Sequence, residues 1–134
     1  EVHAISKFTD PDYESFTTAQ LLFESGASGM LIADRSSGQW EENIEIHGGN
    51  RSVFIKIPDS ITITDAEEQH TTEMTPLAMG WARSEDKLGF SYAIRHFLDC
   101  VKEDRVPLTN AVDAYKTHEL LDRILRSAGL PGME

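Results

Sequence analysis

The hydrophobic period of this chain changes once, and that change sets its fold class. Up to Thr64 apolar residues tend to recur at every second position; from Phe90 onward they recur at every third or fourth. The first spacing is that of strands and the second that of helices. Val2, Ala4 and Phe8 alternate with His3 and Lys7 until the turn chemistry of Thr9-Asp10-Pro11-Asp12. A second strand is expected over Phe16 to Phe23. Ser25-Gly26-Ala27-Ser28-Gly29 then turns into a third, Met30 to Arg35, closed by Ser36-Ser37-Gly38. Ile44 and Ile46 alternate with Glu45 and His47 in a fourth. Gly48-Gly49-Asn50 tolerates positive φ and leads into a fifth, with Val53, Ile55 and Ile57 on one face. Pro58-Asp59-Ser60 turns into a short sixth, Ile61 to Thr64.

Consecutive strands joined by such turns pair antiparallel. The second and third strands are apolar on both faces: Leu22 points opposite to Leu21 and Phe23, and Leu31 opposite to Met30 and Ile32. A sheet covered on one side only would show polar residues on the other. The second face therefore needs a cover, either a loop of this chain or a partner subunit. The partner subunit is the favoured reading, with Leu21, Phe23 and Leu31 as its expected contacts.

Residues 65–87 are polar, lack periodicity and contain Pro76 and Gly80. So long a connection without structure is uncommon in a compact domain; it holds either another edge strand over 68–74 or a functional loop. Phe90, Ile94, Phe97 and Val101 then form a helical stripe, ended by Lys102-Glu103-Asp104-Arg105 and Pro107. Thr109 or Asn110 N-caps the last helix, with Asp113 in its first turn. Val112, Tyr115, Leu121 and Leu125, supported by Ala114, His118 and Ala128, give its expected buried face. Glu119–Arg123 and Asp122–Arg126 are spaced as i, i+4 pairs on the solvent side. Gly129 stands where a C′ glycine is expected, with Pro131 beyond.

A chain of 134 residues fits one domain. Its formal charge of −11 repels phosphates and anionic headgroups, which argues against nucleic-acid and membrane partners. The lone Cys100 excludes an internal disulfide framework and suits a reducing compartment, so a cytoplasmic location is expected. No apolar run approaches a membrane span, and the first residues lack signal-peptide layout. The first residues, Glu1-Val2-His3-Ala4-Ile5, are expected to lie already inside a strand, as in an excised domain.

Few constellations suggest chemistry. The five histidines (His3, His47, His70, His96, His118) show no His–His pair at i, i+4, and the expectation is that none is joined to Cys100 at ligand spacing, so no metal site is expected. Cys100, beside Asp99 and the apolar stripe, reads as a packing residue rather than a nucleophile. Glu67-Glu68 and Glu85-Asp86 read as solvated loop acids rather than an acid/base pair. No G-x-G-x-x-G occurs, so no dinucleotide site is expected within the chain.

Several short segments, in their order, resemble one family. Phe97-Leu98 precedes a charged turn and Pro107, and Asn110-Ala111-Val112-Asp113-Ala114 opens the last helix. Upstream stand Ala27-Ser28-Gly29-Met30-Leu31, then Glu45-Ile46-His47-Gly48, then the strand Val53 to Ile57. Together they resemble the C-terminal domain of the glucose–fructose oxidoreductase / inositol dehydrogenase (Gfo/Idh/MocA) family. The resemblance implies an N-terminal Rossmann domain in the same protein, NAD or NADP held there, and a sugar, polyol or related alcohol as substrate. It also implies a homo-oligomer formed through the open sheet face. The family's Glu-Lys-Pro and Asp-x-x-x-His catalytic motifs are not in this sequence, so no catalytic or cofactor-binding residue is expected in it. The loop ahead of the long helix approaches the substrate pocket in such enzymes. Trp81 and Arg83 stand there, able to stack on a sugar face and hold its hydroxyls; the competing reading has Trp81 plugging the sheet–helix edge and Arg83 pairing with Glu85.

The expectation is thus an α+β fold in a single domain over residues 1–134: a mostly antiparallel sheet of about six strands, with two long C-terminal helices packed on one face. Functionally it is the substrate-side and oligomerisation domain of a NAD(P)-dependent oxidoreductase, without dehydrogenase activity of its own. The rival reading is a free-standing small-ligand-binding or dimerisation module.

Overall fold

The computed structural model describes residues 1–9, 13–73 and 83–130. It is α+β, with antiparallel pairing throughout, but it contains two sheets rather than one. Seven strands and three helices are described: β1 Val2–Lys7, β2 Phe16–Leu22, β3 Ser28–Asp34, β4 Glu42–Gly48, β5 Arg51–Ile57, β6 Ser60–Thr64, β7 Gln69–Glu73, α1 Ser84–Lys87, α2 Phe90–Lys102 and α3 Ala111–Ser127. They form two compact units. One comprises Glu1–Gly38 with Leu108–Glu134, and the other Gln39–Pro107. The expectation of a single six-stranded sheet carrying both helices is corrected accordingly, since α3 belongs to the first unit and α2 to the second.

The first unit holds a three-stranded sheet in the order β1-β2-β3. Val2, Ala4 and Ser6 pair with Leu21, Ala19 and Thr17, and Ala19 pairs in turn with Leu31. Directly paired residues project to one face. On this face Ala19, Thr17 and Ser15 are buried, and the Ser6 and Thr17 hydroxyls share a hydrogen bond of 2.8 Å. The opposite face carries Ile5, Leu22, Met30 and Ile32, all exposed, Met30 to 76%.

Helix α3 begins where the sequence indicated. Asn110 Oδ1 accepts from the Val112 and Asp113 amides at 2.9 and 3.2 Å, taking up two of the donors left free at a helix start. Gly129, at φ 78°, ends it: its amide donates to Arg126 O at 3.0 Å, and the Leu130 amide donates to Leu125 O at 2.9 Å. These two bonds make a Schellman motif, whose left-handed C′ residue glycine adopts without Cβ strain. Asp122 and Arg126 pair at 2.7 Å along the helix.

The buried side of α3 matches the expected one at Leu125 and Ala128 but not along the rest of it. Ile124 is buried and Leu120, Leu125 and Ala128 half-buried, whereas Val112, Tyr115 and Leu121 are exposed. The helix lies against β1, and Ser127 ties the two together. Its Oγ accepts from Ala4 N at 2.9 Å and donates to Val2 O at 3.0 Å. β1 is an edge strand, so this hydroxyl occupies backbone groups that have no strand beside them.

The second unit holds a four-stranded sheet in the order β4-β5-β6-β7. Gly49 (φ 58°) and Asn50 (φ 60°) form the two-residue turn between β4 and β5, the left-handed pair that matches strand twist. β7, the edge strand anticipated over 68–74, pairs with β6. Ile44, Ile46, Val53, Ile55, Ile61 and Ile63 share one face, by the pairings Ile44–Ile55–Ile61 and Ile46–Val53–Ile63. Helix α2 starts at Gly89 (φ 82°) and ends with Asp104 in the left-handed region (φ 52°), the Arg105 amide reaching Cys100 O at 2.9 Å. Its apolar stripe is a second correction: Phe90, Ile94, Phe97 and Val101 are 55–63% exposed, and the fully buried residue is Cys100.

Candidate functional site

Arg83 opens α1, its carbonyl accepting from the amides of Asp86 at 3.1 Å and Lys87 at 3.0 Å. Its side chain is exposed. Trp81, the stacking half of the expected pair, lies outside the described residues, as does Pro131. Four residues on, at the end of α1, Lys87 is turned inward. Its side chain is only 3% exposed and its Nζ donates to Asp59 Oδ1 at 2.9 Å. That bond, more than the ammonium's charge alone, holds the Asp59 carboxyl below the usual aspartate range. Asp59 sits in the turn between β5 and β6, so the pair fastens α1 to a sheet turn. Nothing in the spacing of residues 59 and 87 signalled it.

The contact residues expected for a partner subunit fall on a different face from the open one. Leu21 and Leu31 project to the same side as buried Ala19, and both are half-buried. Phe23, half exposed, lies over Gly29 on that side, where an added Cβ would stand 3.6 Å from its ring. The open face instead presents Ile5, Leu22, Met30 and Ile32. The sequence showed both faces to be apolar; alternation alone does not say which of the two a helix of the same chain approaches.

The carboxylates show what chemistry these residues support. Each described carboxyl group whose shift is resolved is held low. Asp34 is lowered by the Ser36 hydroxyl and amide, Glu41 by Asn43 and Gln39, and Asp65 by the amides of Glu67 and Glu68. Asp65 Oδ1 accepts from those two amides at 3.2 and 3.1 Å, so it organises the β6–β7 loop. A general acid working near neutral pH needs the opposite displacement. These groups act as fixed anionic anchors of turns.

One pair was overlooked in the sequence. His96 and Cys100 are four residues apart on α2, which is a helical ligand spacing, and the thiol lies 3.6 Å from His96 Nε2. The expectation of no histidine at ligand spacing from Cys100 is therefore corrected. Two ligands fall short of the four of a structural zinc site. Among the described residues no group of three or more His, Cys, Asp or Glu side chains is placed to hold a metal ion.

Comparison with known proteins gives a consistent frame. A family model described as "Oxidoreductase family, C-terminal alpha/beta domain" matches residues 6–129. A dehydrogenase (MviM) from Clostridium difficile superposes with a TM-score of 0.76 at 22% identity, over 95% of this chain and 41% of that one. Levoglucosan dehydrogenase in complex with NADH superposes at 0.78 and 19% identity, over 96% of this chain and 42% of its own length. UDP-N-acetylglucosamine 3-dehydrogenase GnnA from Acidithiobacillus ferrooxidans gives 0.78 and 17%, over 96% and 39%. At these identities the likeness is one of fold, and the chain spans about two fifths of each of these proteins. Among the described residues no helix is long and apolar enough to cross a membrane.

Proposed function

Because the chain belongs to the Gfo/Idh/MocA oxidoreductase family, as its C-terminal alpha/beta domain, we propose that it is the substrate-side and oligomerisation domain of a NAD- or NADP-dependent enzyme acting on a sugar, polyol or related alcohol. The match over residues 6–129 is the observation that carries this reading. The complexes of its structural neighbours with NADH, and their sugar-derived substrates, agree with it. The cofactor would be held by an N-terminal Rossmann domain of the same protein, and Trp81 and Arg83 would stand at the substrate's edge. A cytoplasmic location belongs to the same reading and rests on the lone Cys100.

The test is to assay the longest open reading frame containing this chain with NAD and NADP against a panel of sugars and polyols, following reduced nicotinamide by absorbance. Turnover is expected from that protein and none from the 134 residues alone. Cofactor turnover by the isolated chain would sink the proposal. Oligomerisation through the open face of the first sheet has its own test. Sedimentation should show a dimer or larger species that Met30→Glu or Ile32→Glu dissociates, both being exposed apolar positions of that face. A parent chain that sediments strictly as a monomer would remove the oligomerisation role, as would a multimer that both substitutions leave intact.

A further inference from the structure

Helix α1 is a single turn, Ser84–Lys87, and none of its residues is buried as a whole. A helix this short does not hold its shape alone, so its place depends on what it is tied to. Along the chain it runs through Leu88 and Gly89 into α2, the Gly89 amide donating to Asp86 O at 3.1 Å. Its side-chain tie comes from Lys87, 3% exposed, whose Nζ donates to Asp59 Oδ1 at 2.9 Å. Among the described residues no other α1 side chain forms a hydrogen bond or an ion pair. Arg83 stands at the opposite end of the same turn. Its carbonyl accepts from the Asp86 and Lys87 amides at 3.1 and 3.0 Å, so the residue that Asp59 holds also fixes the Arg83 backbone. The Arg83 side chain is exposed, and among the described residues its guanidinium pairs with no carboxylate, Glu85 included. Its fork of N–H donors is open to a ligand oxygen.

On the reading that Arg83 stands at the substrate's edge, we propose that Lys87 is a positioning residue for substrate binding. Through Asp59 it fixes α1, and so the point from which Arg83 reaches a substrate hydroxyl. Lys87 itself touches no substrate in this role, since its ammonium is engaged by Asp59. A side chain carried on a fixed turn loses less freedom on binding than one carried on a loose turn. The contribution is to binding and not to the chemical step, so it acts on KM and leaves kcat alone. Asp59, Arg83 and Lys87 all belong to the unit Gln39–Pro107.

The experiment uses the full-length protein containing this chain and the sugar or polyol of the panel above that it turns over fastest. Arg83→Met should raise KM about tenfold, the loss of one charged hydrogen bond, with kcat nearly constant. Lys87→Met should raise KM about fivefold, again at nearly constant kcat. Asp59 is 48% exposed, so this variant leaves its carboxylate in water rather than stranded. The double variant should be no worse than Arg83→Met alone, because Lys87 then has nothing to position. Deuterium uptake over residues 83–89 should rise in Lys87→Met. Lys87→Gln, which keeps an N–H donor, stands in should the methionine variant fail to fold, with an expected rise in KM of about threefold. An unchanged KM, an effect of Lys87→Met that persists undiminished in the Arg83→Met background, or unchanged deuterium uptake each overturn this role while the proposed function stands. A parent that turns over no member of the panel removes the proposed function, and this role with it.

Discussion

Removing the Ser127 hydroxyl isolates the contact that joins the last turn of α3 to the outer edge of β1. Ser127→Ala deletes the acceptor of the Ala4 amide (2.9 Å) and the donor to Val2 O (3.0 Å). A net intramolecular hydrogen bond contributes about 0.5–1.5 kcal/mol. Both bonds lie at an exposed edge where water partly replaces them, so the low end applies and the pair contributes about 1 kcal/mol. Alanine is also the better helix former, returning up to about 0.5 kcal/mol. Thr117→Ala, at an exposed position of the same helix, measures that gain without touching β1. Urea unfolding followed by far-UV circular dichroism should place Ser127→Ala about 1–1.5 kcal/mol below Thr117→Ala. With a typical urea dependence of about 2 kcal/mol per molar, that separates their midpoints by about 0.5–0.7 M. Amide hydrogen exchange supplies the local readout, since protection at Ala4 should fall in Ser127→Ala alone. Equal stability of the two variants together with unchanged Ala4 protection would refute the clasp.

Two further substitutions test other joints. Asn110→Ala removes the cap of the Val112 and Asp113 amides and should cost about 1 kcal/mol, read by urea unfolding; Asn110→Ser should restore most of it. Asp59→Asn should destabilise the chain at neutral pH by stranding the buried Lys87 ammonium. Because Asp59's folded pKa is depressed, its contribution is complete above the unfolded value of about 3.9 and is lost as pH falls through the lower folded value. The gap between parent and variant should therefore hold steady from pH 7 to 5 and close below about pH 4. A gap that widens on acidification would contradict this assignment.

Strands, turns and caps were legible because each is decided locally. Gly49-Asn50 specified a two-residue turn, Asn110 a helix start and Gly129 a helix end, and each does that work in the structure. Even β7 was one of two readings allowed by a connection too long to lack structure, the other being a functional loop. What failed to show were choices made between distant residues. Consecutive strands often pair, yet β3 and β4 belong to different sheets, and the residues between them carry no mark of the division. The stripe Phe90–Ile94–Phe97–Val101 correctly marks the apolar side of α2, but an apolar side states only a need for burial and does not name what meets it. The same limit applies to Leu21 and Leu31, which share the face of buried Ala19. Trp81 and Arg83 were reached through family likeness, and of the two the structure places only Arg83.

The clasp at Ser127 also has a consequence in time. It joins positions 123 and 125 residues apart, whereas the compact unit over Gln39–Pro107 comes from one continuous stretch of chain. As the polypeptide leaves the ribosome, the internal unit has every residue it needs while β1 still waits for its covering helix. The wait costs little at equilibrium, because loop-closure entropy grows by only about 0.6 kcal/mol per doubling of length. It does slow assembly, since distant contacts form late. During that interval the outer edge of β1 is an unpaired row of amides and carbonyls, open to another strand. A chain cut short before residue 127 would retain the internal sheet and keep that edge exposed for good.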